Sequence, residues 1–187
     1  MPGLLAQAHL VGHIRAVASA APWTAAALRR CQLVTWRQFQ ADRPDLAEAG
    51  RRLFYQYGVG LAFLATVRAD GGPRVHPICP VITDEGLFAF IVPGPKLGDL
   101  RRERRYAMHS FPREHDEDAF YVTGRVEEVA DARRRDRIAA QFLAERGWQV
   151  PPPDFDAQRL FEFTVERCLH TRTTGHGDFD PRHTIWP

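Results

Sequence analysis

Two four-residue turns, ADGG at 69–72 and TDEG at 83–86, constrain this chain more than any other feature. They divide "GLAFLATVRADGGPRVHPICPVITDEGLFAFIVPG" into three strand-like runs at about 60–68, 73–82 and 86–92. A connection this short cannot make the crossover that parallel strands need, so the three runs form an antiparallel meander. The middle run carries Pro73, Pro77 and Pro80, each removing a backbone donor from the ladder, which confines it to a sheet edge or a barrel opening. Alternation sets Arg74, His76 and Ile78 on one face and Val75, Pro77 and Cys79 on the other.

The remaining elements follow from period and punctuation. Thr35 and Gln38 have capping-box spacing, and "RPDLAEAGRRLFYQYG" continues as an amphipathic helix with Leu46, Leu53, Phe54 and Tyr57 inward, ending at Gly58. "PKLGDLRRER" reads as a short helix and "YAMHSF" as a strand. "DAFYVTGRVEEVA" is a longer strand with Phe120, Val122 and Val126 on one side. A helix over about 131–146 closes at Gly147, "VPPPD" breaks the chain, and "RLFEFTVERCLHTRT" forms a last long strand. Six strands with helices that do not alternate one for one predict a mainly β domain, a closed or nearly closed antiparallel barrel with helical decoration.

Composition excludes several classes of function. A net charge of +2, with arginine runs such as Arg133 to Arg135 interleaved with Asp131 and Asp136, argues against nucleic-acid binding. No apolar run reaches the roughly 18 residues of a membrane span, so a soluble, cytoplasmic protein is expected. Cys31, Cys79 and Cys168 have no CxxC spacing and read as reduced thiols. Residues 1–34 contain no acidic residue and carry only Arg15, Arg29 and Arg30 as charges. That pattern suits a targeting peptide, but it lacks a clear apolar core and cleavage site; a helical extension or a start codon set too far upstream is the preferred reading. The domain proper is expected over 35–187.

Lys96, in "GPKLGDLRRERR", is the only lysine in a chain with 25 lysines and arginines together. Lysine is a compact point charge that suits phosphate, whereas arginine is a planar fork suited to bidentate pairing. A phosphate site and an accident of arginine-biased composition both account for it. Arg74 and His76 likewise read either as cofactor contacts or as an exposed arginine and a hydrogen-bonded structural histidine.

"LATVRADGGPRVHPI", "LFAFIV", the lysine-bearing turn leading into "LRRERRYAMHS", and "VTGRVEEV", taken in order, resemble the pyridoxamine 5'-phosphate oxidase-like family of flavin-binding split barrels, over roughly residues 36–170. The resemblance implies a six-stranded antiparallel split β-barrel forming a homodimer, with FMN in grooves at the dimer interface and hydride passed to or from a small organic substrate. Deazaflavin F420 and, less favoured, haem are the alternative cofactors. In such proteins the lysine of the turn after the third strand reaches the cofactor phosphate, and Lys96 stands there. The implied cofactor contacts are Lys96, Arg74, His76, Pro77, Ile78, Ile91, Val92 and Leu97; no catalytic residue and no metal ligand is assigned.

The chain also departs from the family pattern. His76 and Val81 fall where true pyridoxamine phosphate oxidases place an arginine and a lysine, and Ala119 falls where they place a glutamine. The tail "FDPRHTIWP" lacks their arginine-rich signature. Oxidation of pyridoxamine phosphate itself is therefore not expected, and the likeness is to the branch holding flavin and F420 reductases. "HTRTTGHGDFDPRH" gathers His170, His176, His183, Asp178 and Asp180 at spacings that match no zinc pattern. It reads as a mobile C-terminal loop anchored by Trp186. Two classes of function remain, an oxidoreductase and a binding or storage module using the same groove.

Overall fold

The structure, a computed structural model, describes residues 33–187. The expected helical extension at 1–34 lies outside the described residues except for Leu33 and Val34. Val34 exchanges both backbone hydrogen bonds with Val165 at 2.9 and 2.7 Å.

The described chain runs α1 (Trp36–Asp42), α2 (Pro44–Phe54), β1 (Ala62–Val67), β2 (Pro73–Ile78), β3 (Pro80–Ile82), β4 (Leu87–Ile91) and α3 (Pro95–Glu103). It continues through β5 (Arg105–Ser110), β6 (Ala119–Glu128), α4 (Ala132–Glu145), a 3-10 turn (Phe155–Ala157), β7 (Arg159–Arg172) and β8 (Arg182–Trp186). All strand pairs are antiparallel, in the order β2-β1-β5-β6-β7-β4-β3, with β8 also on β7.

The two ends of that order are one strand. Ile78 pairs with Ala62 of β1, and two residues later Pro80 pairs with Ala89 of β4, so only Cys79 separates the two edges of the sheet. The proline-rich run is thus an edge, as its missing donors require, but it is both edges at once, and the chain itself closes the barrel. This accounts for one of the two strands beyond the expected six: the predicted 73–82 strand bends and is counted twice. The other is β8, formed where a mobile loop is expected, because Arg182–Trp186 finds the free side of β7 beyond the end of β4.

Close approach of backbones fixes the closure. A Cβ on Gly60 would stand 1.9 Å from the Pro80 carbonyl oxygen, and one on Gly124 would stand 1.8 Å from that of Thr164. Gly124 lies at a bulge, since Thr123 pairs with Arg167 but Gly124 with Val165, leaving Glu166 as an extra residue. The inward positions of β7 accordingly switch from odd (Phe163, Val165) to even (Cys168, His170).

The core has two parts. Inside the barrel, inward residues of the strands meet α1 and α2: Trp36 and Phe54 both pack edge-on against Phe120, where Gly50 leaves room for its ring. β4 is buried on both faces, giving Leu87, Ala89 and Ile91 to this core and Phe88 and Phe90 to a second one under α4, with Ile138, Phe142 and Phe155. The expected capping box holds, Thr35 and Gln38 bonding reciprocally, and Asp131 is found to cap α4. The predicted helix through Tyr57 is shorter. Pro44 starts α2 and Phe54 ends it, so Tyr57 leaves the helical face and is 56% exposed, its hydroxyl donating to the Pro112 carbonyl at 3.1 Å. Trp186 anchors the tail as expected, packing on Phe39 at 5.0 Å and donating from Nε1 to Asp42 at 2.6 Å.

Closure through Gly60 gives a paired prediction. Gly60→Ala drives a methyl into backbone and should lower stability by about 2 kcal/mol or more. Gly98→Ala, on an open helical position, should raise it by up to about 1 kcal/mol. Urea unfolding of both variants decides, and equal stabilities would contradict the closure.

Candidate functional site

The site is built where α3 leaves β4. Gly94 is the N-cap, at φ 154, and Pro95 follows at the first helical position, where its missing N–H costs nothing. No side chain caps this end, so the first-turn N–H groups of Lys96 and Leu97 have no side-chain acceptor. Lys96 itself is half-buried and makes no hydrogen bond or ion pair with any described residue. Burial holds its ammonium below the ordinary lysine range, an effect partly opposed by the thiol of Cys79.

The next turn of α3 carries the opposite arrangement. Asp99 is 4% exposed and accepts from Arg74 Nε at 2.7 Å, Thr66 Oγ1 at 3.1 Å and an Arg102 guanidinium nitrogen at 3.2 Å. Burial alone would raise its carboxyl, but those three donors outweigh it and hold Asp99 below the ordinary carboxylate range. The cluster pins α3 to β1 and β2. A groove of about 400 Å³ beside it is lined by Arg68, Arg74, Pro95, Gly98 and Arg102.

The structure therefore places the expected contacts in four settings. Lys96 stands at the helix start with its charge unpaired. Arg74 faces Asp99, and His76 is half-buried on the same inward-facing side of β2. Ile78, Ile91 and Leu97 belong to the barrel core, so what they offer a ligand is backbone, while Pro77 and Val92 are exposed. Sequence reasoning missed Asp99, although an aspartate three residues before an arginine on a helix is a readable signal.

It also missed the outward face of the sheet. Register places Pro77, Phe63, His109, Tyr121, Leu169 and Ile185 side by side across β2-β1-β5-β6-β7-β8, and Val75, Ala65, Ala107 and Thr123 in the next row. Val75 is 61% and Ile185 65% exposed, and Phe63 stacks on Phe111 at 4.1 Å. A groove of about 360 Å³ runs over Ala65, Val67, Ala107, Tyr121 and Thr123.

In the C-terminal segment, His176 hydrogen-bonds the Glu114 carbonyl and Asp178 accepts from Thr174. Among the described residues no group of three or more potential ligands is placed to hold a metal, and no helix is long and apolar enough to cross a membrane.

No protein-family model and no curated protein matches this sequence. Solved structures do match. A pyridoxamine 5'-phosphate oxidase-like protein from Listeria innocua superposes with TM-score 0.52 at 13% identity, over 65% of this chain and 94% of its own. An FAD-binding protein from Mesorhizobium loti gives 0.50 at 22% identity, over 65% and 89%. A haem-binding protein from Mycobacterium smegmatis gives 0.52 at 13% identity, over 73% of this chain but only 57% of that one. The chain has the split-barrel fold of these proteins.

The Asp99 cluster predicts an acid response. Because its folded-state pKa is depressed, the stability it contributes is complete above the ordinary value of 3.8 and is lost as pH falls through the folded-state value. Asp99→Asn should be less stable at neutral pH and lose less stability on acidification below about pH 4. Parallel acid dependences in urea melts would show that the cluster does not hold the charge.

Proposed function

We propose that this split barrel binds a phosphate-bearing flavin, FMN before a deazaflavin, with Lys96 and the first turn of α3 receiving the phosphate. One observation carries the reading: Lys96 is a half-buried cation with no anionic partner among the described residues, placed beside N–H donors that no side chain caps at the positive end of a helix. Placing a cation there without a partner costs desolvation, which a bound phosphate would offset. The FAD-binding neighbour supports a flavin-type ligand in this fold. Such a cofactor, when bound, supplies hydride chemistry toward a small organic substrate, and this chain supplies binding, orientation and electrostatics. Arg74, held by Asp99, forms an ion pair on the inward-facing side of β2 and leaves Lys96 as the available cation. The haem-binding neighbour favours a second reading, in which Lys96 meets a carboxylate of that ligand. The absorption spectrum of the purified protein separates the two, flavin bands against a Soret band.

Lys96→Ala should weaken FMN binding by about 1.5 to 3 kcal/mol, the range for a charge-assisted hydrogen bond, without unfolding the barrel. Lys96→Arg, which keeps the charge, should lose less but still measurably, since the fork is bulkier and differently hydrated. Riboflavin, lacking the phosphate, should bind the parent chain poorly and be indifferent to either change. Equal losses for FMN and riboflavin in fluorescence titrations would sink the assignment.

The same reading includes a homodimer assembled through the outward sheet face. Two adjacent, mostly apolar rows running across the strands of one sheet face are what an obligate interface of upwards of about 2,000 Å² requires. Ala107→Arg, at the centre of the face and half-exposed, should convert a dimer to a folded monomer in sedimentation. A monomeric parent at micromolar concentration would refute this assembly.

A further inference from the structure

We propose that Lys96 is also a modification site: its amine accepts an acyl group from small acyl phosphates, and acylation there closes the anion site. The second half rests on the phosphate reading above; the first does not.

Three features of the chain converge on this amine. Acylation needs a neutral nitrogen lone pair, which a lysine held by a carboxylate does not offer, and Lys96 has no acceptor among the described residues. By contrast, the neighbouring cations are taken up, Arg74 and Arg102 both by Asp99. The amine is half-buried, which removes part of its hydration yet leaves a small reagent access. Burial also shifts its protonation toward the neutral form, so more of it is nucleophilic near neutral pH than for a solvated lysine. Finally, Lys96 is the only lysine, so the whole side-chain amine reactivity of the protein falls on one atom.

An acyl phosphate fits better than a neutral acyl donor. It carries an anionic phosphoryl group one bridging oxygen away from an activated carbonyl; the ammonium form draws the anion in, and once that form has lost a proton to solvent the neutral amine attacks the carbonyl. In the step, the Nζ lone pair attacks the carbonyl carbon and a C–N bond forms. The bond from that carbon to the bridging oxygen breaks, inorganic phosphate leaves with the electron pair, and one Nζ proton passes to solvent. Nothing is oxidised or reduced. The product is a neutral amide, which has lost the point charge that suits phosphate.

The test uses the full chain with acetyl phosphate, read by intact mass and peptide mapping, with the same chain unfolded in urea supplying an ordinary reference for the same lysine. Lys96 should acetylate several-fold faster folded than unfolded at pH 8, its rate should reach half its maximum below the roughly 10.4 of an ordinary lysine, and inorganic phosphate or FMN should slow it. The acetylated protein should bind FMN about tenfold or more weakly. A folded rate equal to or below the unfolded one overturns the proposal. Fast acetylation by both acetyl phosphate and N-acetoxysuccinimide, with no protection by phosphate and no loss of FMN affinity, supports the reactive amine, overturns its regulatory role and removes the phosphate reading.

Discussion

A single bent strand serves as both edges of the sheet, and the rest of the molecule is arranged around that fact. A sheet whose first and last strands are joined through one residue has its curvature set by the chain, and each half of the bent strand is paired on one side only. The bend needs residues that tolerate lost ladder donors, supplied by Pro77 and Pro80. It also needs an approach so close that only glycine fits at position 60. Because β4 must leave this junction, α3 starts beside it. That puts the helix start and Lys96 within electrostatic reach of Cys79, the residue at the bend.

Much of this was legible in the sequence, and the reasons differ by element. The hairpin turns, the capping box at Thr35, the inward faces of β6 and the closure of α4 are local, set by residues a few positions apart. The double counting of 73–82 was not legible, because which edge each half joins depends on β1 and β4, which lie on either side of it in the sequence. β8 was missed for a related reason. Thr184, Ile185 and Trp186 favour a strand, but the run is only five residues long and follows a glycine-containing loop, and it is the free side of β7 that makes it a strand. Tyr57 departs from its expected inward position because the helix stops at Phe54.

The site shows the same division. Lys96 could be singled out by composition alone, and the structure adds what composition cannot: that its charge is half-buried and unpaired. The Asp99 cluster joins β1, β2 and α3 across 33 residues of sequence, and of its contacts only the Asp99–Arg102 spacing is local. Nor does the outward apolar face appear until register lines up residues from six strands, since each strand alone reads as ordinary alternation.

The lone lysine can then be given a physical reason. In this chain guanidinium groups find carboxylates wherever the fold brings them within reach: Arg74 and Arg102 on Asp99, Arg101 on Glu128, Arg134 on Glu85 and Glu162. A fork with five donors is readily engaged by internal acceptors, and once engaged it is no longer free for an external anion. Lysine at position 96 keeps a compact charge on a flexible stem that no internal carboxylate holds. Its partial burial makes that charge costly unless an anion arrives, and it makes the neutral amine available when none does. Affinity for phosphate and reactivity toward acyl phosphates are two outcomes of one arrangement, a cation partly desolvated by the fold and given no partner among the described residues.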